Sequence, residues 1–342
     1  MVYSFELIKH ANIRYREFLP FLARCELFCM LSSLGISCDI QPEEMGGSRF
    51  LTVDCRELEP RELDFLSGHS AFVFMAEKTD GLLRPLPVGN AAYLPDDLPE
   101  VLKYKGKTSA TFTRMMINIA AALSAFRNAD EPLTFFDPVC GRGTGCFCAL
   151  TAGMNAVGMD LDKKDIREAS DYFSRYLKFH KLKHEEKSRS ETLNGHAVPV
   201  TSFTFADTRE HWQSGDVRKL SLACADTVES PALFRKGGPH IIAADLPYGI
   251  QHAPQAGSRP ESLHRFLARV LPVWKRVLRP GGALALSFNT LTLPADDVRE
   301  ALSAAGFRLP RHEYFSRLQH EVEHAVVRDV VFALNTEEES FI

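Results

Sequence analysis

The chain has 342 residues, 45% of them apolar and 25% charged, which is enough to bury a core without disulfide or metal staples and too apolar for wholesale disorder. Its 40 lysines and arginines stand against 44 acids, a net charge of −4, which excludes a protein held to nucleic acid by bulk positive charge but not a local basic surface. The eight cysteines include no C-x-x-C pair, so a zinc ribbon, a disulfide framework and a metal site are all unexpected.

The opening Met1-Val2-Tyr3-Ser4-Phe5-Glu6 has no basic segment followed by an apolar one. No apolar run approaches the roughly 18 residues of a membrane span. A cytoplasmic chain without a leader, not bound to a membrane, is the expectation. In chain order, 2–8 reads as a strand and 17–34 as a helix, with Phe18, Phe21, Leu22, Cys25, Phe28 and Cys29 at helical spacing and a stop at Gly35. Strands at 36–40 and 49–54 flank a Gly46-Gly47 turn, followed by a helix at 60–66 and a strand at 71–77. This β-α-β-β-α-β order is ferredoxin-like, so residues 1–78 are expected to form a small α+β domain. Residues 79–102, proline-containing and aperiodic, read as a linker.

Helical spacing returns at 112–126, and from 133 onward strands and helices alternate: 133–137, 145–152, 156–160, 164–177, 220–226, 240–245, 263–278, 283–289 and 294–305. That alternation predicts an α/β fold, a Rossmann-like parallel sheet with helices on both faces, over 103–335. Two consecutive strand-like runs, 311–318 and 325–334, fit an antiparallel pair at its edge. The pattern fails at 179–219, a polar insertion with one strand candidate at 198–206; a solvated loop and a substrate contact are equally good accounts of it.

Four segments carry chemistry. The first is Asp137-Pro138-Val139-Cys140-Gly141-Arg142-Gly143-Thr144, a strand end running through a glycine-rich turn into a helix. It lacks the third glycine of a dinucleotide fingerprint and the Gly-Lys-Ser/Thr of a P-loop. What remains is an acid to meet a cationic group and a G-x-G loop at a helix N-terminus to meet a carboxylate. S-adenosylmethionine carries both. The second, Gly158-Met159-Asp160-Leu161, ends the next strand in an acid placed for a ribose diol, although Asp160 could equally cap the helix that follows. The third, Asp226-Thr227, offers an acceptor for an adenine amino group. The fourth is Asp245-Leu246-Pro247-Tyr248-Gly249. An exocyclic amine has its lone pair delocalised into the ring. Hydrogen bonds from that amine to Asp245 and a nearby carbonyl would localise the lone pair, and Tyr248 offers a face for a base.

These segments resemble the class I methyltransferases acting on amino nitrogens, and more closely the THUMP-associated tRNA guanosine-N2 methyltransferase family. Lys105-Gly106-Lys107-Thr108-Ser109 and Met115-Met116-Ile117-Asn118-Ile119-Ala120 resemble that family's Thr-Ser segment and the helix before its cofactor loop. The resemblance spans about 103–335; the stretch 79–102 is too short for the family's complete THUMP core, so tRNA docking would differ. It implies a seven-stranded methyltransferase core, S-adenosylmethionine as cofactor, RNA (tRNA first) as partner and, as some relatives have, room for a small activating subunit. It implies Asp245, Pro247 and Tyr248 as catalytic residues, and Asp137, Cys140, Gly141, Gly143, Thr144, Asp160, Leu161, Asp226, Thr227, Thr108 and Ser109 around the cofactor. Leu246, Gly249, Lys181, Lys183 and Lys187 are the candidate substrate contacts. Further basic residues that could meet phosphates are Lys103, Lys105, Lys107 and Arg114, then Arg259, Arg265 and Arg269. An adenine-N6 or protein-amide methyltransferase, and a non-catalytic RNA-binding protein keeping the pocket, are the competing functions.

Overall fold

The computed structural model describes residues 1–87, 92–102, 107–193, 195–234, 237–246, 255–256, 259–316, 318–323 and 325–337. The amino-terminal part contains β1 (Val2–Leu7), α1 (Ile13–Ser33), β2 (Asp39–Met45), β3 (Ser48–Asp54), α2 (Pro60–Ser67), β4 (Phe72–Thr79) and β5 (Leu82–Pro85). Its sheet runs β2-β3-β1-β4-β5, antiparallel throughout, which is the ferredoxin-like order with one strand added.

Helix α1 starts four residues before the sequence pattern does, because the Asn12 side chain accepts from Arg14 N (3.0 Å) and Tyr15 N (3.2 Å). Pro20 lies inside it and cannot donate to the Arg16 carbonyl. Arg49 Nη1 on β3 donates to that carbonyl instead, at 2.9 Å, so the helix continues unbroken. Strand β2 extends through Gln41-Pro42-Glu43-Glu44, an outer edge that needs no apolar pattern and tolerates proline. Strand β5 falls in the stretch expected to be a linker. Asp80 and Gly81 adopt left-handed φ angles of 50° and 77°, turning the chain into a hairpin that pairs Lys78 with Leu83.

The larger part contains α3 (Leu98–Val101), α4 (Ala110–Leu123), β6 (Thr134–Asp137), α5 (Thr144–Thr151), β7 (Asn155–Asp160), α6 (Lys163–Phe179), β8 (His184–Leu193), β9 (His196–Phe205), α7 (Arg209–Ser214) and β10 (Arg218–Cys224). After a 3-10 turn at Thr227–Ala232 come β11 (Ile241–Asp245), the short pair β12 (Gln255–Ala256) and β13 (Arg259–Pro260), α8 (Leu263–Val277), β14 (Ala283–Asn289), α9 (Ala295–Ala304), β15 (His320–Glu323) and β16 (Val326–Leu334). The main sheet runs β15-β16-β14-β11-β6-β7-β10-β9-β8. Its five central strands, β14 to β10, are parallel, with antiparallel pairs on both flanks.

The seven strands from β10 to β15 form the Rossmann-like core. Strand β9 meets the strand candidate at 198–206, while β8 is a strand in the stretch that reads as polar and without pattern. They make a hairpin in continuous register, from His184 opposite Phe205 to Leu193 opposite His196, which docks on β10. Strand β8 reads His-Glu-Glu-Lys-Ser-Arg-Ser-Glu-Thr-Leu, so its outer position leaves no apolar signature. The run at 311–318 is likewise not a strand. It holds a single 3-10 turn at Glu313–Ser316, and the strand begins at His320.

Successive strand residues feed opposite cores, as period-2 alternation requires. Phe135 and Ile241 pack toward α4, α5 and α6, while Phe136 and Ile242 pack toward α8 and α9. The first of these cores continues into the small sheet, because α1 lies along α4. At that seam the buried Glu26 carboxylate accepts from Asn118 Nδ2 (2.7 Å) and Ser70 N (2.8 Å). No described helix is long and apolar enough to cross a membrane.

Candidate active site

Strand order reverses between β6 and β11, and the carboxyl ends of the parallel strands at such a reversal are where open α/β sheets hold their ligand crevice. Asp137 ends β6 and is buried; Val139 N donates to its carboxylate at 3.2 Å. Burial, reinforced by the nearby Asp160 and Asp245 carboxylates, pushes Asp137 up to about 8. A Cβ at Gly145 would collide with Asp137 Oδ2, so the carboxyl can sit against the helix backbone only because that residue is glycine. A buried acid beside two other carboxylates is a site that favours a cation.

The loop beyond it turns on Gly141 (φ +48°) and Gly143 (φ +85°), both left-handed. Two hydrogen bonds stitch it to the next strand, Cys140 N to Met159 O (2.9 Å) and Gly141 N to Asp160 Oδ2 (2.8 Å), and beyond that strand Asp162 N donates to Asp160 Oδ1 (2.9 Å). Asp160 therefore keeps about one acceptor site on each oxygen for a diol. The cap of α6 is Asp162, which accepts from Lys164 N (2.8 Å), so the capping alternative for Asp160 falls away. Leu161 beside it is 47% exposed, an apolar face next to the diol position. Thr144 opens α5, and Cys140 is buried with Cys146 against Gly158.

Asp245 ends β11 with a fuller set of partners than its sequence context suggests. Ser287 Oγ donates to Oδ1 at 2.8 Å, Thr108 Oγ1 donates to Oδ2, and Arg328 Nη2 lies 3.5 Å from Oδ2. Ser287 faces Asp245 in the parallel register of β11 and β14. Neither Ser287 nor Arg328 was expected. The available signal was the Arg-Asp pair in the otherwise apolar run Val326-Val327-Arg328-Asp329-Val330-Val331-Phe332, since charges within a buried strand demand partners.

Several candidates sit elsewhere than expected. The Thr108 hydroxyl is donated to Asp245, and the Ser109 hydroxyl is 3.3 Å from His10 Nε2 of the small domain. Asp226 accepts from Val228 N at 3.1 Å and from Arg269 Nη1 at 3.0 and 2.9 Å, and Arg269 also pairs with Glu261 at 2.9 Å, so this carboxylate already has a charged partner. The Thr227 hydroxyl accepts from Trp274 Nε1 at 2.8 Å inside the core. The Leu246 side chain is buried with the α8 cluster instead of facing a substrate.

Lys181 and Lys183 lie at the amino-terminal edge of the sheet, opposite the crevice. Lys183 O accepts from Ala206 N beside the start of β10, and Lys187 pairs with Glu185 at 2.8 Å. Arg114 pairs with Asp96 at 3.0 Å, and Lys107 donates to the Pro99 carbonyl. Lys103, Lys105, Pro247, Tyr248 and Gly249 lie outside the described residues. A cavity of about 360 Å³ lies away from the crevice, between the small domain and helices α4 and α5, with Met30, Asn118 and Arg114 among its walls.

No protein family and no curated protein matches the sequence. Among solved structures the chain is similar to TrmN from Thermus thermophilus, with 18% identity over 87% of this chain and 59% of that one and a TM-score of 0.39. It is also similar to the magnesium protoporphyrin IX methyltransferase of Synechocystis PCC 6803 with bound SAM (14% identity, 67% and 86% covered, TM-score 0.39). A third similarity is to the rRNA methyltransferase aviRa of Streptomyces viridochromogenes (13%, 69% and 89%, TM-score 0.40). The chain thus spans less than two-thirds of the Thermus protein's length. The strand order, rather than any of these overlaps, carries the fold.

Proposed function

We propose that this chain is an S-adenosylmethionine-dependent methyltransferase acting on an exocyclic amino nitrogen in RNA, with guanosine N2 of tRNA as the first substrate to test. The observation that carries this reading is the Asp245 carboxylate, clamped at a strand end in the same crevice as Asp137 and Asp160. The donor set fits the cofactor: a buried acid for its ammonium, left-handed glycines and a helix N-terminus for its carboxylate, and Asp160 for its ribose diol. When bound, the cofactor supplies an electrophilic methyl on a sulfonium.

The protein's own part is orientation. A carboxylate offers about four lone-pair sites. Thr108 donates to Oδ2 beside the Arg328 charge, and Ser287 occupies one site of Oδ1, which leaves an Oδ1 site for an amino N–H. Accepting that N–H localises the nitrogen lone pair, and the anion stabilises the positive charge that develops as the nitrogen is methylated. Guanosine N2 in particular rests on the resemblance of residues 245–249 to the guanosine-N2 family, since an adenine or amide amine would meet the same oxygen.

The test is transfer of a labelled methyl to unmodified tRNA, rRNA, DNA and protein, with digestion to nucleosides and amino acids. N2-methylguanosine is expected. N6-methyladenosine or a methylated amide would move the assignment to those amines, and cofactor binding without transfer to any acceptor would make the chain a binding protein.

A further inference from the structure

Arg328 lies on β16, paired with Asn289 of β14 on one side and His320 of β15 on the other, and is 4% exposed. Its guanidinium sits over the Phe112 ring, 4.9 Å from the centroid, and Nη2 reaches 3.5 Å to both Asp245 Oδ2 and Thr108 Oγ1. A buried guanidinium is costly to desolvate unless a carboxylate answers it. Of the three crevice acids, Asp137 lies close enough to feel both Asp160 and Asp245. Among the described residues, Arg328 is the cation paired to one of them, and it selects Asp245.

Charge alone does not explain the selection. During transfer the attacked nitrogen becomes positive, and a cation nearby opposes that change. Coulomb energy falls as 1/r, so a carboxylate at about 3 Å outweighs a guanidinium behind it at about 6 Å by roughly two to one. Arg328 therefore weakens the electrostatic help from Asp245 without cancelling it, and its benefit must be geometric. The Thr108 hydroxyl and the Arg328 charge hold Oδ2 while Ser287 holds Oδ1, which restrains the carboxylate from turning about its Cβ–Cγ bond and keeps Oδ1 as the oxygen offered to the amine.

The geometry points to Arg328 as a positioning residue for the amine-binding carboxylate, an assignment that rests on the amine-transfer reading above. Arg328 touches no substrate; it decides which oxygen of Asp245 does.

The experiment compares wild type, Arg328→Lys and Arg328→Met as full-length chains. The measurements are cofactor affinity, RNA affinity, single-turnover methyl transfer and crystal structures of the Asp245 side chain. The expected result for Arg328→Met is unchanged binding of both ligands and a transfer rate about 10²-fold lower, the scale of a misplaced contact. The Asp245 carboxylate should be rotated or split between two rotamers. Arg328→Lys, which keeps a cation near Oδ2, should recover part of the rate and the single rotamer. A folded Arg328→Met protein with wild-type transfer and an unmoved Asp245 overturns the proposal, as does a loss of rate matched by equal losses of both affinities. If Arg328→Met fails to fold, Thr108→Val removes the other Oδ2 partner. Asp245 should then turn in Thr108→Val and turn further when Arg328→Lys is added, and an unmoved carboxylate in both is equally fatal. A wild-type protein that methylates no amine sinks the amine reading, while the Asp245 rotamer in the variants still decides the role of Arg328.

Discussion

Asp245 is joined to its surroundings by one anionic group and three donors, and its substitutions separate two effects. Asp245→Ala removes the carboxylate and leaves the Arg328 charge buried without its acid, so it should destabilise the fold, by as much as about 3 kcal/mol, as well as slow transfer. Asp245→Asn keeps the shape and one acceptor oxygen, and is the cleaner probe. Single-turnover rates should fall about 10²–10³-fold for Ala and less for Asn, with cofactor affinity held in both. A wild-type rate in Asp245→Ala would remove this residue from the reaction.

Asp137 gives a second prediction, with its sign set by burial. Its pKa in the fold is raised to about 8 from an ordinary 3.8, so between those values the native protein holds a proton that the unfolded chain releases. Stability without cofactor should therefore fall as pH rises through that window. An ammonium bound at Asp137 favours the anion, so cofactor affinity should rise with pH up to about 8, with proton release visible by calorimetry in buffers of different ionisation enthalpy. Asp137→Asn should flatten both profiles. A wild-type affinity independent of pH would place the ammonium elsewhere.

At the scale of elements, the loop between β6 and α5 depends on the thinness of β7. Strand β7 passes under the loop at Gly158, where a Cβ would come within 2.8 Å of Cys140 Sγ, 2.9 Å of Cys146 Sγ and 3.0 Å of a Leu222 methyl. Buried sulfurs and a packed leucine cannot all yield, so Gly158→Ala should overpack the layer by about 1–3 kcal/mol. It should also displace the Cys140 end of the cofactor loop. A lower melting temperature together with weaker cofactor binding is expected; an unchanged melting temperature would mean that the layer has slack. The hairpin β8–β9 shows the opposite case. Its outer strand is polar because residues 185–190 are exposed on both faces as well as along the outer edge, and the lysines proposed for RNA are spread along it and its approach rather than gathered at the crevice.

For the whole molecule, histidines held neutral by burial set the acid limit. Burial lowers His240 to about 4, and its Nδ1 accepts from Thr134 N at 2.8 Å, a bond that a proton there would break. His320 is also lowered to about 4, and His69, whose Nδ1 accepts from Ala71 N at 3.1 Å beside the seam between the two sheets, is lowered by the same cause. Below the ordinary value of 6.5 the unfolded chain takes up protons that the fold refuses. The contribution of these groups is therefore complete above 6.5 and is lost as pH falls toward 4. The melting temperature should drop across that range, and His240→Asn, which keeps an acceptor oxygen toward Thr134, should show a shallower drop. Equal slopes in the two proteins would take His240 out of the account.

Periodicity determined what depends on local chemistry. The β-α-β-β-α-β opening, the alternation after 133, the glycine turn at 141–143 and the acids ending β6, β7 and β11 all follow from apolar spacing and from the few residues that allow sharp turns. What depends on distant partners was invisible. The pairing of Asp226 with Arg269, 43 residues later, has no trace in the sequence around either residue. The Thr108 hydroxyl is likewise donated to a strand end 137 residues away. Strand β8 has no apolar signature because an edge strand owes its place to backbone hydrogen bonds rather than to buried side chains. Arg328 lies 83 positions from Asp245 in the chain, and only the antiparallel return of β16 beside β14 brings its guanidinium to the carboxylate. A sequence can announce that a charge is buried, but the sheet decides which charge answers it.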